Sequence, residues 1–270
     1  MTDQVFTGDP GRSELPGLLL MFEQGGRPGR KAVLAALSDI PRAVVRHDPV
    51  PAASSHVSDS ASLAFPSEGS LEILIDGLAF DLLGLLPGPW IVPPAIEHFV
   101  ERAPDDLIDC EAVGLFPSPH VAEGANTLPV VRTMLGLAAK LAAKFASVRA
   151  ICWTPARSAV SPPTFVEAVD VWLRGGQFPA PGLFALRRSA DGSIRSNGLA
   201  FFVGSEFTID ADLCGADREA TDVAASVAHE LVGFGMPESA REFSLDDATI
   251  VQLEPDHANR MTRVRYARAS

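Results

Sequence analysis

The feature that most constrains the fold is a long stretch, from about Leu128 to Ala146, with the spacing of a helix that has one apolar face. Thr127 and Pro129 suit the start of this helix, because threonine is a common N-cap and proline fits the first turn. Its apolar side chains recur every three or four residues, at Val131, Met134, Leu135, Ala138, Leu141, Ala142 and Phe145. A stripe of this width must be buried, so the rest of the chain has to supply a surface that covers it.

The sequence before this helix alternates between strand patterns and helix patterns. In chain order these are LPGLLLMFE (strand), RKAVLAALSDI (helix), RAVVRHD (strand), the two strands of SLEILIDGLAFDLLGL, AIEHFVERA (helix) and CEAVGLF (strand). Asp76 and Gly77 suit a tight hairpin turn between the paired strands. The resulting order, β-α-β-β-α-β, is that of a ferredoxin-like unit.

The second half has a comparable order of elements. The long helix leads to strand VRAICW, LFALRRS and GLAFFVG read as a hairpin across residues 190–192, and DREATDVAASVAHELVGF reads as a helix before strands ATIVQLE and TRVRYA. One additional helix, TFVEAVDVWLRGG, ends at a glycine pair that suits a left-handed cap. We therefore predict an α+β protein of two ferredoxin-like halves, residues 1–110 and 111–270, with a single irregular α+β domain as the alternative. Residues 48–69 are rich in proline, alanine and serine and predict a long loop.

Charge and cysteine usage limit the choice of partners and compartment. The formal net charge is −12, from 22 basic and 34 acidic residues, so the field of the protein disfavours nucleic acid and anionic lipid surfaces. No run of apolar residues reaches the roughly 20 that a spanning helix needs. Cys110, Cys152 and Cys214 are widely separated, and the first residues do not form a secretory signal. We expect a cytoplasmic protein with reduced thiols and no bound cofactor or metal.

A loop before the long helix gathers polar residues and is the first candidate site. Arg132 lies in the first turn of the helix, where the positive end of the helix dipole makes an unpaired cation unfavourable. Glu123 is the nearest carboxylate and the expected partner of Arg132, with a bound anion as the alternative. His120 and Asn126 lie in the same loop. The simpler interpretation is that these residues cap the helix and satisfy loop backbone groups.

Trp153 and Arg157 complete the candidate set, because loops at strand ends commonly hold ligands in proteins that mix helices and strands. A tryptophan and an arginine can grip a planar or anionic ligand, although a buried Trp153 and a capping Arg157 would give the same sequence. The chain lacks the glycine-rich, P-loop and nucleophile-elbow motifs, and VAHELVGFG carries only half of a zinc-binding HExxH. Arg187, Arg188 and Arg195 form a local basic patch that is either solvated or contacts an acidic partner.

The segments PHVAEGANTLPVVR, RAICWTPARS, WLRGGQFP and SNGLAFF together resemble an uncharacterised bacterial family that contains a domain of unknown function. The resemblance covers roughly residues 110 to 235. It implies that this region is a unit, and it implies no reaction.

Two functions are compatible with the sequence. The first is a non-catalytic module that binds another protein through a sheet edge or its acidic surface, and the missing catalytic motifs favour it. The second is a small-molecule enzyme or anion-binding protein, with a pocket formed by His120, Glu123, Asn126, Arg132, Trp153 and Arg157. Convergence of these six residues on one pocket would favour the second.

Overall fold

The computed structural model describes residues 15–46, 69–215, 217–246 and 249–267. An eight-stranded sheet contains β1 (Leu18–Phe22), β2 (Ala43–Arg46), β3 (Ser70–Ile75), β4 (Leu78–Leu83), β5 (His98–Phe99), β6 (Glu111–Pro117), β7 (Val148–Trp153) and β8 (Ser158–Val160). A six-stranded sheet contains β9 (Ala185–Arg188), β10 (Ile194–Asn197), β11 (Glu206–Ile209), β12 (Arg241–Ser244), β13 (Ile250–Asp256) and β14 (Met261–Tyr266). The α-helices are α1 (Arg30–Ser38), α2 (Leu128–Lys144), α3 (Pro162–Leu173), α4 (Ala200–Val203) and α5 (Asp217–Phe234). The predicted α+β class is confirmed.

Strand β1 lies near the middle of the eight-stranded sheet, whose order is β2-β3-β4-β6-β1-β7-β8-β5. It pairs antiparallel with both β6 and β7, and all five of its residues are buried. A strand covered on both faces needs continuous apolar side chains, which explains the run LLLMF. Strands from both sides of residue 110 therefore pair within one sheet.

The predicted long helix is confirmed as α2, and its apolar side lies in the main core. Helix α3 packs antiparallel to it: Arg132, near the start of α2, donates to the carbonyl of Leu173 at the end of α3, and a Cβ on Gly136, in the middle of α2, would be 3.2 Å from Leu173 Cδ1. Thr127 occupies the N-cap position, but its hydroxyl donates to the carbonyl of Gly124 and does not cap the helix. Small residues on α2 allow this close helix contact.

The helix predicted in AIEHFVERA is not formed. Residues 98–99 make the short strand β5, parallel to β8 at one edge of the sheet. The backbone N–H groups of Glu97 and His98 donate to the carbonyl of Arg157, and that of Val100 donates to Ala159. The segment from Gly84 to Cys110 covers the second face of the sheet, with Ile91 and Phe99 against Met21 and Cys152.

The six-stranded sheet has the order β12-β13-β14-β11-β10-β9, and β11 with β14 is its one parallel pair among the described residues. Helix α5 packs on one face through Ala224, Val227, Ala228 and Leu231, within the same core that α2 and α3 enter. The predicted turn at residues 190–192 is confirmed, since β9 pairs with β10 across it, but the second strand is Ile194–Asn197 and not GLAFFVG. The segment GLAFFVG forms the short helix α4 and not a strand. The first half lacks its predicted second helix, so the ferredoxin-like order is not reproduced in either half.

Three further expectations concern the loop, the cysteines and the membrane. Of the predicted loop at residues 48–69, only Gly69 lies within the described residues. Cys110, Cys152 and Cys214 are free and buried, as predicted, and burial raises the pKa of the Cys152 thiol to about 12. In the described part of the chain, no helix combines the length and apolarity required to cross a membrane.

Candidate functional site

The six residues predicted as a site do not share their contacts. Strands β6 and β7 both run antiparallel to β1, so they are parallel to each other. Their C-terminal ends, and the loops that follow them, therefore lie at the same end of the strands. His120, Glu123 and Asn126 are exposed in the loop after β6. Trp153 is buried and Arg157 is on the surface, each with different neighbours. The first turn of α2 is therefore not the centre of a shared pocket.

The predicted pairing of Arg132 with a carboxylate is wrong. Its Nη2 donates to the carbonyl oxygens of Leu173 (3.1 Å) and Trp172 (3.4 Å), at the C-terminal end of α3. The guanidinium carbon lies 4.6 Å from the centroid of the Trp172 ring, which is a cation–π contact. Because α2 and α3 are antiparallel, the cation that opposes the dipole of its own helix meets the negative end of the neighbouring helix.

Replacing Arg132 with alanine should lower the free energy of unfolding by about 1–2 kcal/mol, because a cation–π contact and hydrogen bonds to helix-end carbonyls are lost. Glu123→Ala, the matched control, should change it by less than about 0.5 kcal/mol, since that carboxylate is exposed. Urea denaturation measures both values. Equal losses of unfolding free energy in the two variants would support an ion pair between Glu123 and Arg132.

Trp153 and Arg157 have structural partners of their own. The Trp153 ring stacks on Phe202 at a centroid distance of 5.5 Å and meets Phe201 edge-on at 5.0 Å. Arg157 has a left-handed backbone (φ 49°) and its Nη1 lies 3.0 Å from Glu97 Oε1. Trp153 is thus a core residue that packs against α4. Arg157 lies on the surface and pairs with Glu97.

A cleft of about 480 Å³ lies elsewhere, between the two sheets. The outermost strands of both sheets line it: β5 through His98 and Phe99, and β9 through Ala185 and Leu186. The loop between α3 and β9 and the exposed sides of α3 and α5 complete the wall, which is largely apolar and includes Phe178, Pro179, Ala180, Pro181, Phe184, Val171 and Ala225. Sequence reasoning missed this cleft because its residues come from four separate segments that form no local motif.

The polar residues that line the cleft are His98, Ser158, Gln177, Thr221 and Asp222. Ser158 is fully buried and donates its hydroxyl proton to the carbonyl of Gly182 at 2.6 Å. His98 pairs with Ser158 across the β5–β8 ladder, and its Nε2 is buried without a hydrogen-bond partner among the described residues. His229 Nδ1, on α5, accepts the backbone N–H of Phe178 and holds the cleft wall. Ser158 and His98 therefore lack the hydrogen bond that activates a serine nucleophile.

The burial of His98 predicts a pH dependence of stability. Desolvation, together with the charge of Arg187 and against that of Glu97, lowers the pKa of His98. The unfolded chain, with a histidine pKa near 6.5, therefore binds more protons than the folded chain just below that pH. The contribution of neutral His98 is complete above about pH 6.5 and is lost as the pH falls toward the folded pKa.

Unfolding free energies of wild type and His98→Gln, compared from about pH 7.5 to about pH 5, test this dependence. The wild type should lose stability more steeply on acidification. Identical slopes would show that His98 does not contribute.

Three charged residues border the cleft. Glu97, Arg157 and Arg187 each directly adjoin a residue that lines it: His98, Ser158 and Leu186, respectively. Glu97 forms ion pairs with both arginines, and Arg157 holds the pKa of the Glu97 carboxyl below its usual value, with a smaller contribution from Arg187. We call Glu97, Arg157 and Arg187 the charged rim. It joins the edges of the two sheets, because Glu97 precedes β5 and Arg187 lies on β9.

Comparison of the chain with protein-family models, with curated proteins and with solved structures found no match in any of the three. Within the described residues, no three histidine, cysteine, aspartate or glutamate side chains are grouped closely enough to hold a metal ion. The cleft and its charged rim are therefore the basis for a functional proposal.

Proposed function

We propose that this chain is a non-catalytic binding module that takes an extended, apolar segment of a partner protein into the cleft between its two sheets. The observation that carries the proposal is that both walls of the cleft include an outermost strand, β5 and β9. An outermost strand has unpaired backbone N–H and C=O groups along one side, which an extended peptide can match.

The lining supports a peptide occupant as well. Phe99, Phe178 and Phe184 provide aromatic surface, and Pro179 and Pro181 provide rigid apolar surface. Apolar pockets of this kind hold alternate side chains of a bound strand, while its backbone pairs with the sheet edge. The missing catalytic motifs agree with binding in place of catalysis, and so does His98, whose Nε2 is buried without a hydrogen-bond partner in the described part of the chain. The cytoplasmic location expected from the sequence remains part of this proposal.

The experiment is a selection of peptides displayed on phage against the purified chain, followed by affinity measurements on two matched tryptophan variants. Ala225→Trp adds an indole to the cleft wall, whereas Ala35→Trp adds one to an exposed site on α1. Selected peptides should have apolar residues at alternate positions. They should bind wild type and Ala35→Trp equally and should lose at least about tenfold in affinity, about 1.4 kcal/mol, for Ala225→Trp.

Val171→Arg provides a second obstruction in case Ala225→Trp does not fold, because Val171 lines the cleft but is already 41% exposed. Peptides that bind all variants equally, or a selection that enriches none, would overturn the proposal. Binding of small apolar compounds in the cleft without any peptide binding would also overturn it, in favour of a small-molecule site.

A further inference from the structure

The charged rim has more hydrogen-bond donors than its own carboxylate uses. Arg157 and Arg187 have side chains that are 57% and 54% exposed, and each forms an ion pair with the single carboxylate of Glu97. A guanidinium has five N–H donors, so most of them face solvent or a ligand. The three rim charges sum to +1 in a chain whose formal net charge is −12; Arg195, directly opposite Arg187, adds a positive charge, and Asp222 of the cleft wall adds a negative one. This rim is therefore a local positive site on an acidic protein.

The alternation of side chains along β9 relates this positive site to the cleft. Leu186 lines the cleft, and Arg187 follows it on the strand, so the two side chains point to opposite faces. A partner segment that extends the sheet at β9 would alternate in the same way. Residues on the Leu186 side would face the part of the cleft wall that Leu186 forms, and those between them would lie on the face that Ala185 and Arg187 share.

We infer that the bound segment carries an aspartate or glutamate between two apolar residues, and that its carboxylate binds Arg187 and Arg157. This inference rests on the proposed function and specifies the partner sequence. Glu97 demonstrates the fit, since its side-chain carboxylate already lies between the two guanidinium groups. The carboxylate of the partner joins or displaces Glu97, and the apolar neighbours occupy the cleft.

Because Glu97 already occupies the charged rim, substitutions of the arginines and of Glu97 should change the affinity for an acidic segment in opposite directions. Removing a guanidinium charge weakens binding of an acidic segment, whereas removing the charge of Glu97 strengthens it, because both arginines then become available. A purely apolar interaction would respond to neither change. Arg46 serves as the matched control, since it is exposed on β2, at the opposite side of the eight-stranded sheet from β5.

The probes are two short peptides, acetylated and amidated at their ends, with apolar residues at alternate positions. One has glutamate between the apolar residues, and its twin has glutamine. Fluorescence anisotropy at low and at physiological salt gives their affinities for wild type, Arg187→Gln, Arg157→Gln, Glu97→Gln and Arg46→Gln.

The glutamate peptide should bind wild type at least about tenfold more tightly than its glutamine twin at low salt, with a smaller ratio at higher salt. Arg187→Gln and Arg157→Gln should each abolish most of this preference, Glu97→Gln should increase it, and Arg46→Gln should retain it. Equal binding of the two peptides to wild type, both lost in Ala225→Trp, would overturn this inference and leave the proposed function intact. Absence of binding by either peptide, or by any selected peptide, would overturn both.

Discussion

Arg27→Met is expected to lower the free energy of unfolding by about 3–5 kcal/mol, because it leaves a largely buried carboxylate without its partner. Arg27 is only 6% exposed, and its Nε lies 2.7 Å from Glu111 Oε2, on a side chain that is 15% exposed. Its Nη1 also donates to the carbonyl oxygens of Gly84 and Gly88. The guanidinium thereby fastens the start of the segment that covers the second face of the eight-stranded sheet to β6.

Arg149→Met is the matched control, since Arg149 forms an exposed ion pair with Asp106. Arg149→Met should lower the free energy of unfolding by less than about 1 kcal/mol, because water screens exposed ion pairs. The double variant Arg27→Met with Glu111→Leu should recover part of the loss, as the unpaired carboxylate is removed. Chemical denaturation monitored by circular dichroism measures all three. Equal effects of Arg27→Met and Arg149→Met would mean that the buried pair does not hold the covering segment.

Glu206→Ala is expected to cost about 3 kcal/mol, because one carboxylate serves several backbone donors and charge-assisted hydrogen bonds are the strong ones. Glu206 accepts the N–H groups of Gly198 (2.8 Å), Leu199 (3.2 Å) and Ala200 (3.0 Å). It also accepts the hydroxyl proton of Ser196 at 2.5 Å. These bonds hold the chain as it enters α4, so Phe201 and Phe202 remain packed on Trp153.

Tryptophan fluorescence during urea denaturation reports the stability and the combined environment of Trp90, Trp153 and Trp172, and replacing Trp90 and Trp172 with phenylalanine in both proteins isolates the signal of Trp153. Glu242→Ala, on the exposed side of β12, is the control and should change stability by less than about 0.5 kcal/mol. The loss of stability in Glu206→Gln should lie between those of Glu206→Ala and Glu242→Ala, because the amide retains one acceptor oxygen and brings unwanted donors. A Glu206→Ala protein with wild-type stability and fluorescence would show that α4 forms without this carboxylate.

The sequence by itself determined the elements whose signals are local. The stripe from Val131 to Phe145 defines α2, the apolar run LPGLLLMFE predicts the strand β1, and Asp76-Gly77 joins β3 to β4 through two positive φ angles. Periodicity and turn chemistry act within a few residues, so they can be read without knowledge of the fold. The α+β class follows from these elements.

Only the tertiary structure decided which segments meet. Residues 98–99 form a strand because the neighbouring N–H groups donate to carbonyls at and just before β8. Arg132 contacts the end of α3 because the two helices pack antiparallel. The cleft and its charged rim combine β5, β9 and α5, which are far apart in sequence. Local pattern carries no information about such neighbours, since the free energy that selects them comes from burial and pairing between distant segments.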